Sequence, residues 1–303
     1  MNHVREAIVR TCAYFDLFQF PLTVTELHRY LIAGTSCSYK DVQQGIEQNS
    51  LPLEYASGHW CVRGSRAALR ERHRRYMHAH KKFARARRVT RILSRLPFVR
   101  MVAVCNSLAY HNARAESDID FFIVARRRGV WLARFFVLSA LSFARLRPGQ
   151  RGHTDSICTS FFVDEDHLDM SVFSNGPHDV YLPQWVATLY PLYDAGAYYQ
   201  QLWEANASLL QQTANAYPVM PHPQYHLSHS SRIRSVIEWC LMPFSSIVAQ
   251  MQQRKFSSKI RSLLNKDTRV CVRAGVLKFH TNDRRELFAR GYEDRAAALL
   301  EYV

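Results

Sequence analysis

The 303-residue chain lacks the markers of several common chemistries. It holds no C-x-x-C pair; Cys12, Cys37, Cys61, Cys105, Cys158, Cys240 and Cys271 are scattered. That spacing supports neither a zinc ribbon nor a redox dithiol. An odd, dispersed set fits buried thiols in a reducing cytoplasm. There is no Walker A loop, no G-x-G-x-x-G fingerprint and no G-x-S-x-G elbow. The opening MNHVREAIVR has no apolar signal core. The most apolar run, Gly129–Ala144, is too short to span a bilayer and contains Arg134. It reads as a buried helix, and cytoplasmic placement is the expectation. No internal repeat and no long low-complexity segment is present.

What the chain does have is a core and a charge. Apolar residues make up 48%, enough for ordinary packed domains. The net charge is +15, which attracts phosphate-bearing partners such as nucleotides or nucleic acid. Solubility alone is the other reading of that charge. The length suggests roughly two domains.

Four regions follow from the patterning. Residues 1–64 read as three helices and a hairpin, the order of a winged helix. Val4, Ile8, Cys12 and Phe15 mark the first helix. Thr23 and Glu26 form a capping box for a second that runs through Leu31, with Gly34 beyond its end. Ser38 can cap a third helix, Tyr39–Asn49. Leu53–Tyr55 and Trp60–Val62 flank a turn at 56–59. The third helix offers Lys40, Gln43 and Gln44 but also Asp41 and Glu47, so it is not a basic DNA reader. Residues 65–97 form a basic connecting helix, either solvated or an electrostatic surface for polyphosphate or nucleic acid. Residues 98–195 carry strands at 99–104 and 156–163, with a helix at Trp131–Leu146 between them. Residues 196–303 read as mainly helical, with helices at 198–215 and 233–264, a kink at Pro243, a strand near 270–280 and a closing helix from Asp283. Tyr181–Tyr190 also reads as a helix, and 217–229 and 148–154 as loops.

The stretch Val102–Val124, VAVCNSLAYHNARAESDIDFFIV, organises the rest. An apolar strand leads into Asn106-Ser107. A second apolar strand carries Asp118 and Asp120, whose side chains share one face because strand residues alternate. Like charges that close repel unless a cation lies between them. Mg²⁺ prefers such hard oxygen ligands, and a tight turn can hold phosphates with its N–H groups. An Asp pair at a strand end can also cap a turn or pair with Arg126–Arg128. His280 with Asp283 is either a polar cluster near this cleft or a turn in which Asn282 or Asp283 caps the last helix.

Strand, Asn-Ser, about ten residues and apolar-flanked D-x-D resembles the signature of the nucleotidyltransferase superfamily related to DNA polymerase β. YFDLFQFPLTVTELHRYL, RMVAVCNSLA, SDIDFFIV, ICTSFFVDEDHLD, LYPLYD and LKFHTNDRR together resemble uncharacterised bacterial nucleotidyltransferase-domain proteins with a winged-helix-like N-terminus. The resemblance implies an α/β (α+β) fold with a small mixed-sheet core. It implies catalytic, metal-binding Asp118 and Asp120, one or two Mg²⁺ ions, and nucleotide contacts at Asn106, Ser107 and Ser117. The implied activity moves an NMP from an NTP to an unidentified acceptor, which is nucleic acid, protein or a small molecule, with release of pyrophosphate. Two departures stand out. Asn106 replaces the first Gly of the usual Gly-Ser pair. The next strand, SICTSFFV, has no acid where many members place a third carboxylate; Asp155 and Asp164 flank it. A degenerate nucleotide binder and a winged-helix nucleic-acid regulator are the rival expectations.

Overall fold

The computed structural model describes residues 2–47, 51–147, 154–176, 179–220 and 232–302. In α1 (Asn2–Asp16) Val4, Ile8, Cys12 and Phe15 are buried, as their spacing predicts. Thr23 Oγ1 accepts from the Glu26 N–H, and the Glu26 carboxylate accepts from the Thr23 N–H at 2.9 Å. That box starts α2 (Val24–Arg29). The helix stops at Tyr30, short of Leu31 and well before Gly34. Other partners claim the backbone there: Gln184 Nε2 donates to the Tyr30 carbonyl and the Ile32 N–H donates to Thr11 Oγ1. Ser38 and Asp41 form a second box at the start of α3 (Tyr39–Glu47); the expected end at Asn49 lies outside the described residues. Gly45 lets α3 lie on α1, since a Cβ there would stand 3.0 Å from Ile8 Cδ1.

β1 (Leu53–Ala56) and β2 (His59–Val62) form the expected hairpin. Its turn is two residues, Ser57-Gly58, not four. Both have positive φ, 50° and 79°, the geometry that matches strand twist.

α4 (Ala67–Leu93) is the basic helix, and it is not simply solvated. Arg75 and Lys82 are buried, at 4% and 3% exposure. Arg75 donates to the Phe18 carbonyl and Gln19 Oε1 and pairs with Glu71. Arg72 pairs with Glu26 at 2.7 Å. Lys82 Nζ donates to the carbonyls of Ala115 (3.1 Å) and Ser117 (2.7 Å) and to Asp155 Oδ1 (2.5 Å). Two of the helix's cations, Arg75 and Lys82, are therefore spent inside the molecule, while Arg70, Arg74, Lys81, Arg88 and Arg91 stay exposed.

The central sheet then begins. β3 (Val99–Val104) runs into the short α5 (Asn106–Ala109), and β4 (Ile119–Ala125) returns antiparallel to β3. α6 (Val130–Phe143) crosses over to β5 (Ile157–Asp164), which runs parallel to β4. α7 (Tyr181–Thr188) follows, and then β6 (Tyr190–Asp194). The helix expected to reach Tyr190 thus gives way to a strand. β6 is an edge strand, where Pro191 removes no needed donor. The helix expected over 198–215 is two pieces, α8 (Tyr198–Ala205) and α9 (Ala207–Leu210). Asn206 divides them: its side chain donates to the Leu168 carbonyl and accepts from the Met170 N–H.

α10 (Arg232–Leu241) and α11 (Ser245–Arg254) are separated at Pro243 by one 3₁₀ turn, as expected of a proline. Buried Glu238 ties α10 to the sheet through Arg100 (2.6 Å) and the Phe98 N–H (2.6 Å). α12 (Ser258–Leu263) precedes β7 (Val270–Arg273) and β8 (Val276–Phe279). The region after residue 196 is therefore not helical throughout; it supplies two strands of the main sheet. Gly275 (φ 71°) makes their turn, and a Cβ there would strike the His167 ring. α13 (Arg285–Leu300) ends the described chain.

The six-stranded order is β6-β3-β4-β5-β8-β7, mixed in direction, giving an α+β fold. Helices cover both faces, so β4 is apolar on both sides. Ile119, Phe121 and Ile123 pack toward α4 and α6. Phe122 and Val124 pack with Leu182 and Trp185 of α7 on the other face. Tyr292 and Ala296 of α13 complete the core of the first three helices. Among the described residues no helix is long and apolar enough to cross a membrane.

Replacing Lys82 leaves two carbonyls without their charged donor. We expect Lys82→Met to cost about 2–3 kcal/mol in urea unfolding. The same change at exposed Lys81 should stay within about 0.5 kcal/mol. Equal effects at both positions would contradict the structural role of Lys82.

Candidate metal centre

Asp118 directly precedes β4 and Asp120 is its second residue. Their side chains share the face of Phe122 and Val124, opposite Ile119. Parallel pairing sets Cys158 of β5 directly beside Asp120. The register then slips: Phe122 pairs with Phe161, so β5 carries one extra residue. This bulge puts Cys158 and Phe161 on one face although they are three apart. Ligand atoms of Asp118, Asp120 and Cys158 all lie within 4.8 Å of one another.

The Asp120 carboxyl is half-buried in the wall of a cleft. Burial, then the neighbouring Asp118, push its pKa up to about 6. Burial and the same two aspartates push the Cys158 thiol well above its ordinary value. The cluster is starved of positive charge, which is the electrostatic condition for holding a cation.

Asn106 adopts φ 59°, a conformation that Asn tolerates better than most residues. Its Nδ2 donates to Asp120 Oδ2 at 2.8 Å. Its Oδ1 accepts from Trp185 Nε1 at 3.0 Å. Indole N–H is only a donor, so Trp185 fixes which way the amide points. Asn106 is thus a brace for Asp120 as well as part of the cleft lining. Ser107 is half-buried, its carbonyl accepts from the Asn112 N–H, and it is not among the lining residues. Ser117 Oγ donates to the Arg114 carbonyl, and its own carbonyl takes the Lys82 bond. Ser117 therefore shapes the loop before Asp118.

Neither flanking acid completes a triad of carboxylates. Asp155 is engaged by Lys82. Asp164 pairs in register with Ala125, at the far end of β4. Six residues of strand put it about 20 Å from Cys158. There it accepts from His167 Nδ1 (2.6 Å) and the Arg128 N–H (3.0 Å).

The cluster sits at one end of a cleft of about 670 Å³. Phe161, Phe173, Tyr181, Trp185 and Phe288 give it an aromatic lining. Lys278 of β8, then His280, Asp283 and Arg284 of the β8–α13 connection, and Arg285 of α13 also line it. His280 and Asp283 are thus cleft residues, and Asp283 Oδ1 also accepts from the Arg285 N–H as a turn acid would. Burial, aided by Lys278, lowers His280 to about 4, so its ring is neutral at pH 7. Burial and Arg285 lower Lys278 to about 8. Arg285 is occupied: it bonds the Phe173 carbonyl, Thr268 Oγ1 and Asp283. Arg284 is exposed at the rim.

The role of Cys158, the Trp185 brace, Lys278 and Arg284 has no local sequence signal. Only the pairing of distant segments reveals it.

The raised pKa of Asp120 gives a pH test. Its ordinary value is 3.8, so between about pH 4 and 6 the folded chain keeps a proton that the unfolded chain loses. Stability then falls as pH rises through that window and stays lower above it. In cation-free buffer, Asp120→Asn should stabilise the protein by about 1–3 kcal/mol at pH 7.5, with the gain vanishing below about pH 4. Urea unfolding at both pH values checks this, and a pH-independent effect would refute the desolvation argument.

Compared with known proteins, the chain matches no family model, no curated protein and no solved structure.

Proposed function

We propose that the cleft binds a nucleoside triphosphate through one divalent cation held by Asp118 and Asp120. The observation that carries this reading is the convergence of two charge-starved carboxylates at one end of an aromatic-lined cleft of about 670 Å³. Clefts of that size take nucleotide-sized ligands. A cation between the aspartates relieves their repulsion and presents an open side to phosphate oxygens. Arg284, exposed at the rim, adds positive charge for the rest of the triphosphate. The aromatic lining offers ring faces for a planar base.

Nucleotidyl transfer is the second reading. It is favoured by the mixed β3–α5–β4–α6–β5 unit, which carries Asn-Ser and D-x-D in the order that the resemblance implies. In that reaction the acceptor oxygen attacks the α-phosphorus. The bond to the β-phosphate's bridging oxygen breaks, pyrophosphate leaves, and the acceptor proton passes to solvent. Cys158 in place of a third acid weighs for binding over transfer. A regulator role has little support, because α3 exposes Lys40 against Asp41 and Glu47.

Equilibrium dialysis with labelled NTPs tests the first reading. Binding should need a divalent cation and weaken at least about tenfold in Asp118→Asn and in Asp120→Asn, as expected for loss of a charged ligand. Equal binding without cation would overturn it. Pyrophosphate release with candidate acceptors, lost in Asp120→Asn, would promote the transfer reading.

A further inference from the structure

We propose that the cation site is a mixed oxygen–sulfur centre, Asp118–Asp120–Cys158, which selects a zinc-class ion over Mg²⁺. The inference takes from the preceding section only the claim that a cation sits on Asp118 and Asp120. It changes which cation that is.

The parallel register sets Cys158 beside Asp120, and the bulge after it keeps its side chain on the carboxylate face. The three donor atoms lie within 4.8 Å of one another. Cys158 is a free thiol, tied up in no disulfide. Mg²⁺ demands octahedral oxygen coordination and keeps most of its waters. A sulfur donor gives it little. Zn²⁺ and Co²⁺ take thiolate and carboxylate together and are content with four ligands. Three protein donors then leave one position open toward the cleft, for water or a phosphate oxygen. On binding, the ion takes the place of the thiol proton, which passes to solvent.

The surroundings point the same way. Asn106 Nδ2 holds Asp120 Oδ2, and the Cys158 thiol is hydrogen-bonded to the same carboxyl, so the sulfur and oxygen donors already meet where an ion would replace the thiol proton. Trp185 holds Asn106 in turn. Outer partners of this kind orient metal ligands.

The experiment titrates the metal-free, full-length protein with Co²⁺ in the absence of nucleotide. A thiolate-to-cobalt charge-transfer band with the d–d absorption of a four-coordinate ion is expected. Zn²⁺ should abolish it at one equivalent, while a large excess of Mg²⁺ should not. Cys158→Ser should keep the far-UV circular dichroism, lose the charge-transfer band and bind Zn²⁺ at least about a hundredfold more weakly. The other six cysteines remain in that variant and control for adventitious thiol binding. Cys158→Asp should exchange preference, gaining Mg²⁺ affinity as Zn²⁺ affinity falls. A cobalt–thiolate band that persists in Cys158→Ser overturns the proposal, as does equal competition by Mg²⁺ in the wild-type protein. Zn²⁺ binding through Cys158 without NTP binding would sink the nucleotide reading alone. Cation-dependent NTP binding unaffected by Cys158→Ser would sink this inference alone.

Discussion

A buried ammonium group fixes the geometry on which the site depends. Lys82 enters from α4 with 3% exposure and must find partners where there is no water. It finds them at Ala115, Ser117 and Asp155. The first two lie in the loop that leads to Asp118; the third lies just before β5. One cation therefore ties together the starts of the two parallel strands that carry Asp120 and Cys158. The relative height of those strands decides whether Cys158 meets Asp120 or passes it by. The same bond removes Asp155 from any role as a metal ligand. A residue of the basic helix thus acts on the site without lining it.

Against that rigid frame stands a local defect in electrostatics. Two carboxylates and a thiol are packed where charge is poorly solvated, and Asp120 answers by holding its proton to about pH 6. Such an arrangement destabilises the chain unless something binds there. The supporting bonds keep it from collapsing. Trp185 orients Asn106 and Asn106 orients Asp120, so the carboxylate cannot turn away to relieve the strain on its neighbours. Arg285, the cation best placed to neutralise the cleft, is spent on Asp283, Thr268 and Phe173 instead.

How much of this was legible in the sequence depended on distance along the chain. The D-x-D strand, the Asn-Ser turn, the Thr23 and Ser38 caps and the Pro243 break are set by neighbours within a few residues. They stand where the pattern puts them. β6 escapes the sequence pattern because a proline argues against a strand, and only the sheet order shows that it lies on an edge, where Pro191 is tolerated. The basic helix hides two buried cations among its exposed ones, because composition counts charges and not their partners, which for Lys82 lie up to 73 residues away. Cys158 stands in SICTSFFV with nothing nearby in the chain to mark it. Its meeting with Asp120 depends on the register of two strands joined through α6, and on a bulge that shifts alternation by one. Local periodicity carries neither.

Under the proposed reading, a cysteine as the third donor costs little in charge. A cysteine that has given up its proton to a metal carries the same charge as a carboxylate. The attraction for a divalent ion is retained, and what changes is softness and coordination number. A carboxylate offers two oxygens that can be shared between two ions. A single sulfur beside an Asp120 already braced through one of its oxygens favours one ion with one open position. That position suffices to hold a phosphate and polarise it. Holding the attacking group as well would need a second ion, and among the described residues no acid other than Asp118 and Asp120 joins the cluster that would have to bind it.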